Sequence, residues 1–337
     1  MKATIGFLLG DPNGVGPELA VKALNDPEMR TKANILVIGD QNVLRQGEKV
    51  TGIDLPVSVI RDIADANYDG DTLPFLDVPA IDEKDIKPGT VTAEAGRTCV
   101  EALRKALRLG QDHAIDGFCF APLNKKALGM GGASHPDEHV FFASELNHTG
   151  PAGEHNVLGD PWTSRVTSHI PLKDVAAMIT QDNVVRVTKL AFDTLSDAGF
   201  DNPRIGVCAL NPHGGDGGIF GREEIDVIEP AIEKAKEMGI NAVGPFPSDT
   251  IFVKAKDGEF DAVVTMYHDQ GQIAMKLMGF KQGGVTVSGG LPVPITTPAS
   301  GTAFDIVGKN IASAEGLQQA FLLCTRMGEI RRQKAQA

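Results

Sequence analysis

Phe260-Asp261-Ala262-Val263-Val264-Thr265-Met266-Tyr267-His268-Asp269-Gln270-Gly271 is the stretch that decides the fold. Its apolar, β-branched first half predicts a short buried strand, so His268 and Asp269 emerge at a strand's carboxyl end. The pattern recurs twice. His169 follows Arg165-Val166-Thr167-Ser168, and His213 follows Ile205-Gly206-Val207-Cys208-Ala209-Leu210-Asn211-Pro212. Three strand-like runs thus each deliver one imidazole to the edge where open α/β sheets bind their ligands.

With 337 residues, 42% of them hydrophobic, the chain can bury a sizeable core in one large or two medium domains. Apolar runs such as Ile35-Leu36-Val37-Ile38 are far shorter than the roughly 20 residues that span a bilayer. The amino terminus shows no signal-peptide pattern, so a cytoplasmic protein is expected. Cys99, Cys119, Cys208 and Cys324 form no CxxC pair, which argues against a disulfide framework or a thiolate zinc site. A formal charge of −12 without a Lys/Arg cluster argues against nucleic acid, though not against a small anionic substrate.

Outward from the anchor, strands and helices alternate. Lys2 to Leu9 predicts a strand that opens into Gly10-Asp11-Pro12-Asn13-Gly14-Val15-Gly16-Pro17-Glu18 and a helix starting near Pro17. Such a turn can hold an anion on its amides or simply supply a tight bend. Its spacing matches neither GxGxxG nor a P-loop. Asn34 to Gly39 predicts the next strand. Thr90 to Gly110 predicts a long helix ended by Gly110, and Asp182 to Gly199 a helix with an Asp cap. Asp116 to Ala121 predicts a strand that opens toward Lys125. His135 and His139 lie four apart, but Pro136 makes that segment's start a turn. Further helices are expected from Glu223 to Met238 and from about Glu315.

Three neutral imidazoles with nearby carboxylates suit a divalent cation such as Zn²⁺, Co²⁺, Ni²⁺ or Mn²⁺ and leave positions open for substrate. A cation so placed can lower a hydroxyl's pKa and stabilise an enolate if CO₂ departs, which is β-hydroxy-acid dehydrogenase chemistry. Asp249 and Asp269 are candidates for proton transfer or ligand support, and Lys125 for a positive charge or a proton.

The motifs together identify a resemblance. Gly10 to Glu18, Ala121-Pro122-Leu123-Asn124-Lys125, Ser168-His169-Ile170-Pro171-Leu172, Leu210-Asn211-Pro212-His213, Ser248-Asp249-Thr250, Tyr267 to Gly271 and Gly301-Thr302-Ala303-Phe304-Asp305 occur in order over nearly the whole chain. They closely resemble the 4-hydroxythreonine-4-phosphate dehydrogenase family of vitamin B6 (pyridoxine) synthesis. That family is similar in fold to the isocitrate and isopropylmalate dehydrogenases. The resemblance implies two α/β domains with a cleft between them, residues 1–134 plus 300–337 forming the first and 135–299 the second, which carries metal-binding and dimer-forming elements. It also implies a homodimer, NAD or NADP bound through Gly301, Thr302 and Asp305, and His169, His213 and His268 as ligands to a divalent cation (Zn, Co, Ni, Mn or Mg) at the subunit interface.

By the same resemblance His139, Val140, Lys276, Thr286 and Ile295 fall on substrate-binding positions. Val140 stands where the family has a threonine, Thr286 where it has an asparagine, and Ile295 where it has an arginine. Losing the arginine removes a charge-assisted contact that neutral side chains do not reproduce. The expected activity is oxidation of a secondary hydroxyl of a hydroxy acid, with decarboxylation. The alternative is a catabolic paralogue acting on a four-carbon sugar-acid phosphate or a dihydrodiol carboxylate. More remote readings are an acyl or phosphoryl transferase on a similar scaffold and a non-catalytic metal-binding homologue.

Overall fold

The computed structural model describes residues 2–135, 137–159, 161–279 and 283–336; the turn expected at Pro136 lies outside them. The chain divides into two compact units, Met1–Ala152 with Val285–Ala337, and Gly153–Gly284.

The first unit begins with β1 (Thr4–Leu8), α1 (Gly16–Leu24), α2 (Pro27–Lys32), β2 (Asn34–Gly39), α3 (Gln41–Thr51), β3 (Val57–Ile60) and β4 (Leu73–Asp77). It continues with α4 (Ala93–Gln111), β5 (Gly117–Phe120), α5 (Lys125–Met130) and α6 (Glu138–Glu145). The second unit holds β6 (Gly153–Val157), β7 (Trp162–Arg165), α7 (Val175–Met178), α8 (Gln181–Asp197) and β8 (Ile205–Cys208). After a π-helical turn, Glu224–Ile228, come α9 (Glu229–Glu237), β9 (Ala242–Phe246), α10 (Ser248–Lys256), β10 (Ala262–Thr265) and α11 (His268–Gly279). The chain then returns to the first unit with β11 (Val285–Gly289), β12 (Ile295–Pro298) and α12 (Glu315–Gln336).

In the first unit the strands run in the order β3-β4-β2-β1-β5-β12-β11, parallel except for β11. Alternation along them feeds two cores. Ile5, Phe7, Ile35 and Val37 pack on one face with Phe321 of α12, and Leu8, Leu36, Ile38 and Phe118 on the other with Leu103 of α4. A parallel sheet joined by helical crossovers is buried on both faces, which is why these strands read as continuous apolar runs. The second unit orders its strands β6-β7-β10-β8-β9, all parallel except β6. The α/β class is therefore observed in both units.

Residues 135–152 and 285–299, expected in the second domain, pack with the first unit. Phe141, Phe142, Val293 and Ile295 lie in its core, and β12 pairs with β5. Two helix ends also differ from expectation. Thr180, not Asp182, caps α8, its hydroxyl accepting the Asn183 N–H. Gly110 lies inside α4, which runs to Gln111 and is capped by Asp112, and is packed on by Val293: a Cβ there would stand 2.6 Å from Val293 Cγ1.

Candidate active site

Two of the three histidines meet because two parallel strands end side by side. Thr265 of β10 is in register with Arg165 of β7. Beyond that pair the chains stay tied: Val166 N–H donates to the Thr265 carbonyl (2.8 Å), and the Thr167 N–H and hydroxyl both donate to the Met266 carbonyl (3.1 and 2.7 Å). His169 and His268 follow within four residues, and their ring centroids stand 5.7 Å apart at 44°. The His268 Nδ1 lies 2.7 Å from Asp269 Oδ1, a pairing that orients the ring and leaves Nε2 for another partner.

Beneath this pair lies a polar network. Arg165 Nε donates to Ser168 Oγ (2.9 Å), one guanidinium nitrogen donates to Asn156 Oδ1 (2.8 Å), and another stands 3.1 Å from Glu154 Oε1. Gln272, one turn beyond His268 on α11, also donates to Asn156 Oδ1. Lys276 lies a further turn along the same helix and is exposed.

His213 is presented differently. It leaves β8 in a left-handed turn with φ 54°, and its ring meets Phe220 edge-on at 6.2 Å. Among the described residues no three His, Cys, Asp or Glu side chains are gathered as a metal site; His169 and His268 come together, and His213 follows β8, the strand next to β10 on its other side. Two facing imidazoles, one with its Nδ1 already engaged, suit a borderline divalent cation that takes further donors from elsewhere. Asp249 lies exposed in the first turn of α10.

In the first unit the glycine-rich turn is not an open anion cradle. Residues 11–20 are all buried. The Asp11 carboxylate accepts the Asn13 N–H (2.8 Å), the Gly14 N–H goes to the Asp11 carbonyl, and the Val15 N–H to the Thr302 carbonyl (3.0 Å each). Asp11 thus takes the place an external anion would occupy. Burial pushes its carboxyl up to about 6, against hydrogen bonds from the Asn13 and Asn124 backbones. Gly14 lies against Thr302, where a Cβ would approach the threonine Cβ to 2.9 Å.

Of the expected cofactor residues, Thr302 is therefore a buried clasp, while Gly301 and Asp305 are exposed on the same loop. An exposed carboxylate there suits the hydroxyls of a dinucleotide ribose. Lys125 begins α5 and pairs with Asp137 at 3.1 Å. His139 and Val140 lie on α6, Val140 being exposed, and Thr286 lies opposite Thr297 in the β11–β12 ladder. Ile295 is the clear correction among the substrate positions: fully buried and opposite Phe118, it serves the apolar core and presents nothing to a substrate.

Residues 31–324 match the family described as pyridoxal phosphate biosynthetic protein PdxA. The chain belongs to the PdxA family. A Pseudomonas aeruginosa protein provisionally named 4-hydroxythreonine-4-phosphate dehydrogenase 2 is 48% identical over 96% of this chain and 96% of its own. The D-threonate 4-phosphate dehydrogenase of Cupriavidus necator is 38% identical over 96% of this chain and 97% of its own. A crystal structure of 4-hydroxythreonine-4-phosphate dehydrogenase from Klebsiella pneumoniae superposes with a TM-score of 0.85 at 32% identity, covering 97% and 98% of the two chains. Against this PdxA background, sequence reasoning gave no role to Asp11 or Arg165; their burial and partners, which set what each contacts, leave no mark in spacing.

Proposed function

We propose that the protein is an NAD(P)- and divalent-metal-dependent dehydrogenase that oxidises the secondary hydroxyl of a phosphorylated four-carbon hydroxy acid, 4-hydroxythreonine 4-phosphate or D-threonate 4-phosphate. The observation that carries this reading is the apposition of His169 and His268 at adjacent strand ends in a chain of this family. The names of the two relatives supply the two substrates.

His169, His213 and His268 would hold the cation. Among the described residues no three such side chains gather within one chain, and the reading includes a site completed at a homodimer interface, as the family resemblance implies. Bound there, a divalent cation supplies Lewis-acid polarisation of the hydroxyl and of a neighbouring carboxylate. Asp269, paired with Nδ1, favours the His268 tautomer that leaves Nε2 as an electron-pair donor. Lys276 gives a cation for the substrate phosphate, two turns from His268 on one helix face. Lys125 and Asp249 are the candidate proton-handling groups. Gly301 and Asp305 would contact the dinucleotide, which accepts the hydride.

The test is NAD(P)⁺ reduction by metal-reconstituted protein with each phosphorylated acid and its unphosphorylated counterpart. Reduction with either phosphorylated acid, abolished by chelator and restored by metal, is expected. Turnover confined to unphosphorylated acids would overturn the substrate class, and metal-independent turnover the metal role.

A further inference from the structure

Glu224 is 1% exposed and opens the π-helical turn Glu224–Ile228. Such turns are rare and concentrate at functional sites. The Glu224 Oε1 accepts the backbone N–H groups of Leu210 (2.8 Å) and Asn211 (2.7 Å), and Oε2 accepts the Asn211 amide Nδ2–H (2.9 Å). Glu223 Oε2 accepts from the same nitrogen at 2.7 Å. These donors lie just beyond β8, where no strand partner remains for them.

Past Asn211 the backbone turns left-handed for five residues, with φ of 54° at His213, 67° at Gly214, 77° at Gly215, 45° at Asp216 and 65° at Gly217. Left-handed backbone is unfavourable at a residue with a side chain, so His213 and Asp216 keep it only where the surroundings impose it. Glu224 reaches both the entry and the middle of this turn. Gly215 is buried against it, and a Cβ at that position would stand 2.7 Å from Glu224 Oε2.

We infer that Glu224 is a positioning residue for His213: its carboxylate fixes the direction in which the chain leaves β8 and so the placement of the third imidazole. Glu224 acts on the imidazole indirectly, through the Leu210–Asn211 backbone and the Asn211 side-chain amide. The inference rests on the reading of His213 as a metal donor.

Co²⁺ binding tests it, measured by chelator competition and by the visible absorption of the bound ion, in wild type, His213→Ala, Glu224→Gln and the double variant. Glu224→Gln keeps the size of the side chain and replaces one acceptor oxygen by a donor facing the Asn211 amide. A ten- to hundred-fold weaker affinity and an altered spectrum are expected, with a melting temperature close to wild type. The double variant should bind no more weakly than His213→Ala, because both changes act through one side chain. If Glu224→Gln does not fold, Asn211→Ala, which removes the side-chain contacts to Glu223 and Glu224, should still weaken Co²⁺ binding. A loss in His213→Ala with none in Glu224→Gln or Asn211→Ala, or additive losses in the double variant, overturns the role of Glu224 alone. Wild type that binds no Co²⁺, or His213→Ala that binds it fully, overturns the metal reading and the inference with it.

Discussion

The imidazoles of His169 and His268, 99 residues apart in sequence, stand with ring centroids 5.7 Å apart because β7 and β10 are parallel neighbours in register. Removing either ring should have the same consequence if both serve one cation. His169→Ala and His268→Ala are each expected to lower divalent-metal affinity by at least about tenfold, and the double variant to fall short of the product of the two losses. Isothermal titration with Zn²⁺ checks this; strictly multiplicative losses would separate the two histidines into different sites.

Ile295 carries a prediction opposite to what its place in the resemblance suggests. An arginine there would bury a guanidinium among Phe118, Leu103 and other apolar side chains of the first unit's core. Ile295→Arg should therefore destabilise the protein by about 3–5 kcal/mol and should not improve use of phosphorylated substrates. Denaturant unfolding of the variant measures the loss, and steady-state kinetics on any folded fraction measures the second effect.

Much of the fold was legible because its physics is local. The run Phe260 to Thr265 could only be a short buried strand, and the alternation of strand and helix followed from periodicity. The strand-end placement of His169, His213 and His268 was legible for the same reason. What stayed hidden depends on distant partners. Gly110 looked like a helix stop but lies inside α4, packed on Val293, and the glycine-rich turn read equally as an anion site or a tight bend until its contacts showed Asp11 accepting the Asn13 N–H. The left-handed turn that carries His213 away from the end of β8 was also hidden, because the backbone conformation at His213 leaves no mark in spacing.

His155 makes stability depend on pH. It is fully buried near Trp162, with Nε2 3.3 Å from the Thr194 hydroxyl and Nδ1 without a partner among the described residues. Burial pulls its pKa from 6.5 down to about 4, outweighing the attraction of Glu154. The unfolded chain therefore binds the extra proton between these values. The contribution of His155 is complete above about 6.5 and is lost as pH falls toward 4, on the order of 3 kcal/mol in all. A His155→Gln variant should show a flatter dependence of unfolding free energy on pH across that window.

Gly14 ties the glycine-rich turn to the Gly301–Asp305 loop. Gly14→Ala would push a methyl group into Thr302, so it should cost about 1–3 kcal/mol of stability. It should also weaken NAD(P)⁺ binding without changing Co²⁺ affinity. Fluorescence titration with NADH checks the first binding effect and chelator competition the second.

If a cation held by His169, His213 and His268 serves the oxidation of a phosphorylated four-carbon hydroxy acid by this chain of the PdxA family, removing one ligand should abolish the activity. Its most direct measurement is NAD(P)H formation by wild type and His213→Ala, with and without added metal, on 4-hydroxythreonine 4-phosphate and D-threonate 4-phosphate. Metal-dependent reduction with at least one of these acids is expected in wild type, with a loss of at least about a hundredfold in the variant. Full activity of His213→Ala, or turnover by wild type that a chelator leaves untouched, would contradict this role of the cation.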